Sequence, residues 1–442
     1  MSSEWKTLPL GDCLQRVVDN RGKTPPQSDN KTPFGLIEIN AIVGQNKHPD
    51  FGVVRKFVSK ETYLSWFRAG HPIDGDVLFS TVGSIAEVAI VKGGSGCIAQ
   101  NLVGLRADST ILDPNYLYYF LVNPVIQTKL RSLDISSVQP SIKVPHLLAT
   151  EITLPDLTQQ KAVVAVLNTL DDRIALLHET NATLEAIAQA LFKSWFVDFD
   201  PVHAKQQGIA PEGMDESTAA LFPDGFEESE LGLVPRGWRV APIGDVVESV
   251  GGGTPDTKEI SYWESGVHCW TTPKDLSGIH APVLLTTERK LTDKGLAKVS
   301  SGLLPAGTLL LSSRAPIGYL AIAQVPMAIN QGYIAILPNS QLPPLFMLFW
   351  CRQKMEIIKG RANGSTFMEI SKKAFRPIPA LVPLAPVLDE FIGIAGVLFQ
   401  RLVKNEQQAQ TLATLRDTLL PRLISGQLRL PEAEEILEKT IA

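Results

Sequence analysis

The side chains that could carry catalysis are scattered along this 442-residue chain without the spacing that catalysis requires. The seven histidines show no metal-ligand spacing, and the four cysteines include no C-x-x-C pair. No P-loop, G-x-S-x-G, H-E-x-x-H or N-P-P-Y-like methyltransferase motif occurs. The run Gly251-Gly252-Gly253 does not open a helix, so it cannot form a dinucleotide cradle. The residues therefore favour a binding function over an enzymatic one.

The net charge of −5 is distributed unevenly. Residues 237–383 carry a net charge of +5, residues 1–156 are neutral, and residues 201–236 alone carry −5. A basic segment permits contacts with phosphate groups. Because the chain has no long uninterrupted apolar run and no signal-peptide pattern, we expect a cytoplasmic protein without a membrane-spanning helix.

The chain repeats itself once. The segment that begins at Trp5 recurs at Trp238, an offset of 233 residues, and the segment that begins at Gly75 recurs at Gly307, an offset of 232. The later match of Leu154-Pro155 with Val382-Pro383 has an offset of 228. Ordered matches at nearly constant spacing indicate a tandem duplication of a unit of roughly 230 residues. Each unit contains a globular part followed by a long helical part.

The globular parts predict an α+β (mixed α/β) fold. Short β-rich runs bounded by Gly, Pro and Ser predict strands at Asp76–Ser80, Glu87–Val91, Thr308–Leu311 and Leu320–Ala323. Helical periodicity covers Leu117–Leu130 and Leu345–Ile358.

The helical parts carry an apolar seam with alternating spacings of four and three residues. This spacing, sustained over about four heptads, is typical of a coiled coil. Asn181 and Asn405 fall on seam positions, where a buried amide fixes the register of a pair. The alternative is that each helix packs only on its own domain. Pro421 is expected to end or kink the second helix near its last turn. The seam consists of Val163, Leu167, Leu170, Ile174, Leu177, Asn181, Leu184, Ala188 and Leu191, and of Phe391, Ala395, Leu398, Leu402, Asn405, Ala409, Leu412, Leu415 and Leu419.

These patterns divide the chain into six segments. Residues 201–236, rich in Gly and Pro and containing seven acidic side chains, predict an extended, solvated connector. The predicted segments are a globular domain at 1–156, a central helix at 157–200, the connector at 201–236, a second globular domain at 237–383, a distal helix at 384–430 and a tail at 431–442.

This organisation resembles the specificity (S) subunit of type I restriction-modification enzymes. The ends of the two helical parts are similar to the ends of that family's spacer helices, and three short motifs of the second globular part are similar to elements of its target-recognition domain. The residues that carry the resemblance are Leu191–Phe199, Leu415–Gly426, Leu231–Trp238, Gly253-Thr254-Pro255, Ser312–Gly318 and Asn330-Gln331-Gly332. The first globular part departs from this pattern, since it has Asn20-Arg21-Gly22 where the second has three glycines.

The resemblance implies a non-catalytic subunit that recognises double-stranded DNA. Each globular part would be a target-recognition domain for one half of a split site, and the helices would pair antiparallel, fix the gap and dock two methyltransferase subunits. Those subunits would bind S-adenosylmethionine, so this chain itself would need no cofactor and no metal. A motor-nuclease subunit is a further candidate partner. The alternatives are a scaffold that holds two protein-binding domains and a stand-alone methyltransferase or nuclease.

Under this interpretation, candidate DNA-binding side chains are those that can read base edges or hold phosphates. Asn330 and Gln331 could instead brace a turn, and Trp195, Phe196 and Phe199 are expected to pack at a helix end rather than stack on bases. The candidates in the first half are Lys23, Thr24, Ser80, Thr81, Ser84, Gln100, Asn101, Gln139 and Ser141. The candidates in the second half are Thr254, Thr271, Lys274, Ser312, Ser313, Arg314, Asn330, Gln331, Ser365 and Thr366.

Overall fold

The structure is a computed structural model that describes residues 5–22, 24–44, 46–94, 96–134, 139–364 and 368–441. It contains two compact units. The first unit combines residues 1–174 with 411–442, and the second comprises residues 175–410. Each unit therefore contains one globular part together with portions of both long helices.

The first unit is built on a four-stranded antiparallel sheet in the order β2-β7-β4-β5. A parallel pair, β3 with β6, and an antiparallel pair, β1 with β8, complete its strands. The strands are β1 Lys6–Pro9, β2 Leu14–Val18, β3 Gly35–Ile37, β4 Val77–Ser80, β5 Val88–Ile90, β6 Gly96–Ile98, β7 Leu102–Ala107 and β8 Glu151–Leu154. The helices are α1 Lys60–Ser65, α2 Pro114–Val122, α3 Pro124–Arg131, α4 Val144–Leu148 and the start of α5, Leu157–Phe196.

The second unit has a five-stranded sheet in the order β12-β19-β16-β17-β14 and a three-stranded sheet in the order β15-β13-β18. Its strands are β9 Phe226–Ser229, β10 Gly232–Pro235, β11 Arg239–Pro242, β12 Ser249–Val250, β13 His268–Thr271, β14 Val283–Leu284, β15 Arg289–Leu291, β16 Leu309–Ser312, β17 Leu320–Ala323, β18 Met327–Ile329, β19 Tyr333–Ile336 and β20 Pro379–Val382. Its helices are α6 Asp200–Gln206, α7 Glu216–Ala220, α8 Ile243–Val246, α9 Asp293–Leu296, α10 Pro344–Gln353, α11 Met355–Gly360, α12 Lys372–Phe375 and the start of α13, Ala385–Ile424. A final helix, α14 Leu430–Ile441, belongs to the first unit.

The strand pairings confirm the tandem repeat. The pair β1 with β8 is repeated by β11 with β20, and the parallel pair β3 with β6 is repeated by β13 with β18. The sheet order β2-β7-β4-β5 is repeated by β12-β19-β16-β17. The second unit adds β14, β15 and the β9–β10 hairpin to this common plan.

The predicted strands correspond to β4, β5, β16 and β17. Every residue of these four strands is buried, as their continuous apolar runs require. The predicted helix at Leu117–Leu130 is interrupted at Asn123-Pro124, because proline lacks the N–H that a continuous helix uses and the Asn123 side chain caps α3. The predicted helix at Leu345–Ile358 is likewise divided between α10 and α11.

The two long helices each contain 40 residues, and in the second unit they run in opposite directions, since Asn181 contacts Asn405 and Phe192 contacts Phe391. In the first unit, Asp171 of α5 contacts Arg416 of α13, and in the second unit, Asn181 contacts Asn405. The structure thus confirms the predicted pairing of the seam. The second helix continues through Pro421 and ends three residues later at Ile424.

The seam asparagines form a buried polar contact in the second unit. Asn405 Nδ2 donates to Asn181 Oδ1 at 2.9 Å, and Asn181 Nδ2 donates to Glu406 Oε1 at 2.8 Å. Both amide side chains are almost fully buried. Only one alignment of the helices brings the two amides level, so this contact fixes the register.

We expect Asn405→Ala to lower the free energy of unfolding by about 1–3 kcal/mol, since it leaves the buried Asn181 oxygen without its donor. Denaturant unfolding followed by tryptophan fluorescence measures this loss. Lys404→Ala, an exposed neighbour on the same helix, is the control. If Asn405→Ala and Lys404→Ala lowered the free energy of unfolding by the same small amount, the amide pair would not stabilise the helix pair.

The prediction of an extended connector at 201–236 is wrong. The segment forms α6, α7 and the hairpin of β9 and β10. Val202 and Phe222 are buried in the aromatic core of the second unit, and Asp215 caps α7 by accepting the Thr218 N–H. Several of its acidic residues thus sit in turns and caps, where short polar side chains stabilise local structure.

Residues 431–441 of the predicted C-terminal tail are helical, since they belong to α14. In the part of the chain that the structure describes, no helix combines the length and the apolar character needed to cross a membrane. The prediction for the aromatic residues after the first helical part is confirmed, because Trp195 and Phe196 are buried and Phe199 packs against the same core.

Candidate nucleic-acid interface

A serine-pinned loop follows the central strand of each unit. In the first unit, the Ser80 loop (residues 80–87) is held by Ser80 Oγ, which donates to the Ser84 carbonyl at 2.6 Å and accepts the Glu87 N–H at 2.8 Å. In the second, the Ser312 loop (residues 312–319) is held by Ser312 Oγ, which donates to the Pro316 carbonyl at 2.7 Å and accepts the Tyr319 N–H at 2.8 Å. The two units therefore contain the same type of loop, closed by hydrogen bonds to a serine hydroxyl.

Backbone hydrogen bonds bring other candidate segments beside the Ser80 loop. The Thr81 N–H donates to the Asn101 carbonyl at 2.8 Å, and the Gly83 N–H donates to the Pro140 carbonyl at 3.0 Å. Residues 100–101 and 139–141 thus flank the loop, although they are distant in sequence. The candidates Ser84, Gln100, Asn101, Gln139 and Ser141 belong to this one cluster.

The Ser312 loop has equivalent neighbours. The Ser313 N–H donates to the Gly332 carbonyl at 2.8 Å, and the Ile370 N–H donates to the Ser313 carbonyl at 3.0 Å. Thr254 Oγ1 donates to Gln331 Oε1 at 2.5 Å. The candidates Thr254, Lys274, Arg314, Asn330 and Gln331 therefore lie on segments that converge around this loop.

Five candidates have buried side chains, so they offer no exposed group to DNA in this conformation. Thr81 Oγ1 donates to the Asn101 carbonyl at 3.2 Å, and Thr271 Oγ1 lies 3.0 Å from the Tyr333 hydroxyl. These hydroxyls already form hydrogen bonds to other atoms of the protein, so they are not available to a ligand. The buried candidates are Ser80, Thr81, Thr271, Ser312 and Ser313.

The other candidates differ in exposure. Asn330 Oδ1 accepts the Gly332 N–H at 2.9 Å, so this side chain braces the turn. Thr24, Ser84, Gln100, Gln139, Thr254, Lys274 and Gln331 are exposed, whereas Asn101, Ser141, Arg314 and Asn330 are half-buried. Lys23, Ser365 and Thr366 lie outside the described residues.

Equivalent positions of the two loops carry different side chains. Val82 forms an isolated bridge with Ser141, and Arg314 forms the same bridge with Glu369. The Arg314 guanidinium also lies 3.7 Å from the Glu369 carboxylate, which restrains it beside the loop. A common scaffold therefore presents an apolar group in one unit and five hydrogen-bond donors in the other.

A charged network joins the first globular part to the long helices. The Tyr119 hydroxyl donates to Asp171 Oδ2 at 2.6 Å, and Arg416 Nη1 donates to Asp171 Oδ1 at 2.9 Å. Lys47 also contacts the Tyr119 hydroxyl and Asn168. Burial, reinforced by the Asp171 carboxylate, raises the pKa of Tyr119, and burial lowers the pKa of Lys47. We name these five residues the polar joint.

At the positions equivalent to Tyr119, Asp171 and Arg416 the second unit has apolar side chains, although Glu185 of α5 forms an ion pair with Arg352 of α10 beside them. Phe349 stands at the position of Tyr119, Phe399 at that of Asp171 and Ala188 at that of Arg416. All three line one small cavity between α10 and the long helices of this unit. The repeat thus preserves the position of the joint but not its chemistry.

In the described parts of the chain, no cluster of three or more His, Cys, Asp or Glu side chains could hold a metal ion. The four cysteines are free, and burial raises the pKa of the Cys351 thiol above its ordinary value. A raised pKa opposes formation of the nucleophilic thiolate.

Comparison with known proteins assigns the family. The model of the "Type I restriction modification DNA specificity domain" matches residues 2–186 and 235–390, so it matches both repeats. The HindI specificity subunit of Haemophilus influenzae is 26% identical over 376 residues, covering 75% of this chain and 81% of that protein.

Another relative is the MjaIX specificity subunit of Methanocaldococcus jannaschii, 35% identical over 171 residues; this match spans 38% of the chain and 39% of the relative. The S subunit of M. genitalium has the same fold, with a TM-score of 0.50, 16% identity and coverage of 95% of this chain and 96% of that one. Since the family model covers well over half of the sequence, the chain belongs to the type I restriction-modification specificity subunits.

Proposed function

We propose that this chain is the non-catalytic DNA-recognition subunit of a type I complex, with each unit reading one half of a bipartite site. The observation that carries the proposal is the pair of equivalent loops, whose backbones are held by the same serine while their exposed side chains differ. Two domains that share a loop backbone but carry different exposed side chains are suited to recognise two half-sites of different sequence.

The chemistry of the exposed candidates supports base reading in the second unit. An arginine can bind the O6 and N7 atoms of guanine with two parallel hydrogen bonds, and glutamine can pair with adenine in the same groove. Arg314 and Gln331 offer these groups on adjoining segments. In the first unit, Ser84, Gln100 and Gln139 offer hydroxyl and amide groups but no guanidinium.

The long helices would set the gap between half-sites and dock two methyltransferase subunits. Those subunits would supply S-adenosylmethionine and receive the flipped base, so that methyl transfer does not occur on this chain. A motor-nuclease subunit would complete a cleaving complex, which acts on DNA in the cytoplasm. The mixed polar and apolar outer faces of α5 and α13, with Leu176, Ile187 and Val397 exposed, are compatible with docking.

Retardation of duplex DNA by the chain, with and without a co-expressed methyltransferase partner, tests this function against the scaffold alternative. We expect sequence-dependent retardation of DNA by the complex. A complex that assembles with its partner but is indifferent to DNA would favour a scaffold, and methyl transfer by the purified chain alone would favour an enzyme.

A four-residue insertion at the same level in both long helices is expected to lengthen the gap and leave both half-site sequences unchanged. Four residues add about 6 Å of helix, close to the rise of two base pairs. A coiled coil absorbs such an insertion by local unwinding. Mapping of methylated bases measures the outcome. Altered half-site bases with an unchanged gap would contradict the role of the helices.

A further inference from the structure

The triple-glycine segment after β12 is only partly explained by the fold. At Gly252, an added Cβ would come within 1.9 Å of the Ile329 carbonyl oxygen, so close packing requires glycine there. At Gly253, the nearest atoms to an added Cβ would lie 3.8 Å away, which is ordinary contact. None of the three glycines has a positive φ. The contacts within the chain therefore give no steric reason for glycine at position 253.

A lysine lies directly over the start of this segment. Lys372 Nζ lies 3.4 Å from the position that a Cβ on Gly251 would occupy. Its side chain is exposed and forms no ion pair within the described part of the chain. One turn later in sequence, the Arg376 guanidinium donates to the Ser249 carbonyl at 2.9 Å and so ties the end of α12 to β12. An ammonium without an ion pair among the described residues thus lies beside a half-buried glycine backbone.

The first unit has a different arrangement at the equivalent segment. There, Arg21 donates to both carboxylate oxygens of Asp19, at 2.8 and 2.6 Å, and this pair neutralises the local charge. Asn20 is engaged as well, because its side chain bonds to the backbone of Ala69 and Gly70. The described arginine of this segment is therefore paired in the first unit, whereas Lys372 of the second unit, whose segment 237–383 carries a net charge of +5, has no ion-pair partner among the described residues.

We propose that Lys372 and the Gly251–Gly253 backbone form a binding site for a backbone phosphate of DNA. The missing side chains allow a sugar-phosphate backbone to approach closely, and the ammonium supplies the compact point charge that phosphates attract. The site lies beside Thr254 and Gln331, so it would hold the strand against the Ser312 loop. This inference rests on the proposed function, and it adds a contact that positions the DNA without reading its sequence.

The test uses the chain in complex with its methyltransferase partner and measures duplex affinity over a series of salt concentrations. Lys372→Ala is expected to weaken binding on the order of threefold to tenfold and to reduce the salt slope by about one. The loss should be the same for the recognised duplex and for one with an altered half-site. Lys373→Ala, which removes the same charge one residue away, is the matched control and should leave the slope unchanged.

Gly253→Ala provides a second arm, since the chain has room for its Cβ. It should weaken DNA binding while the thermal unfolding of the complex stays unchanged. Equal effects of Lys372→Ala and Lys373→Ala, or a loss confined to one DNA sequence, would overturn the phosphate site while leaving the proposed function intact. A wild-type complex that ignores DNA would instead overturn the proposed function, and this site with it.

Discussion

Phe391→Ala is expected to lower the free energy of unfolding of the second unit by about 3–5 kcal/mol, the range measured when a buried aromatic ring is deleted from a core. Phe391 lies on α13 and is fully buried. Its ring centroid lies 5.1 Å from that of Phe196 and 5.8 Å from that of Phe192, both on α5. It also meets Phe346 of α10. Loss of this ring leaves a cavity where the long helices and the globular part join.

Tryptophan fluorescence during denaturant unfolding is suited to this measurement, because five of the seven tryptophans belong to the second unit. Val397→Ala, on the same helix but exposed, should change stability by less than about 0.5 kcal/mol. If the two substitutions had similar effects, the aromatic cluster would not be the element that joins α13 to its domain.

Arg416→Ala is expected to destabilise the first unit by about 2 kcal/mol, because it removes a charge-assisted hydrogen bond to the mostly buried Asp171 carboxylate. Amide hydrogen exchange should then be faster in α2 and in the neighbouring part of α5. Arg422→Ala removes an exposed arginine from the same helix and should have little effect. Unchanged exchange in Arg416→Ala would show that the polar joint does not hold the first domain to the helices.

The second unit indicates which substitutions can recover the stability lost in Arg416→Ala. The triple variant Tyr119→Phe, Asp171→Phe, Arg416→Ala copies the apolar joint formed by Phe349, Phe399 and Ala188. Replacing a buried ion pair by apolar groups of suitable shape is often neutral for stability or stabilising. We therefore expect the triple variant to be more stable than Arg416→Ala alone. If the triple variant were less stable than Arg416→Ala, the charges of the polar joint would themselves be required for stability.

Features with a local or periodic signal could be predicted from the sequence. The heptad seam predicts the helix pair and places Asn181 and Asn405 on its buried positions, where the structure shows them in contact. The ordered repeat indicated two similar domains, and short apolar runs located β4 and β16. These predictions succeed because residue spacing along one element determines which face is buried.

Features that depend on contacts between distant segments could not be predicted. Ser80 and Ser312 are of a residue type that often binds ligands. The sequence does not distinguish a serine hydroxyl that hydrogen-bonds within its own loop from one that binds DNA. Lys372 lies more than a hundred residues from Gly251, so nothing in the sequence associates them. The composition of residues 201–236 predicts an extended segment because acidic caps and turns have the same residue types as a solvated chain.

Recognition of a bipartite site is tested by a genome-wide map of methylated bases, read by single-molecule sequencing in cells that express this chain together with its methyltransferase partner. We expect a bipartite motif, two short half-sites of different sequence separated by a gap of constant length. Methylation at a single continuous motif, or at half-sites with a variable gap, would contradict it.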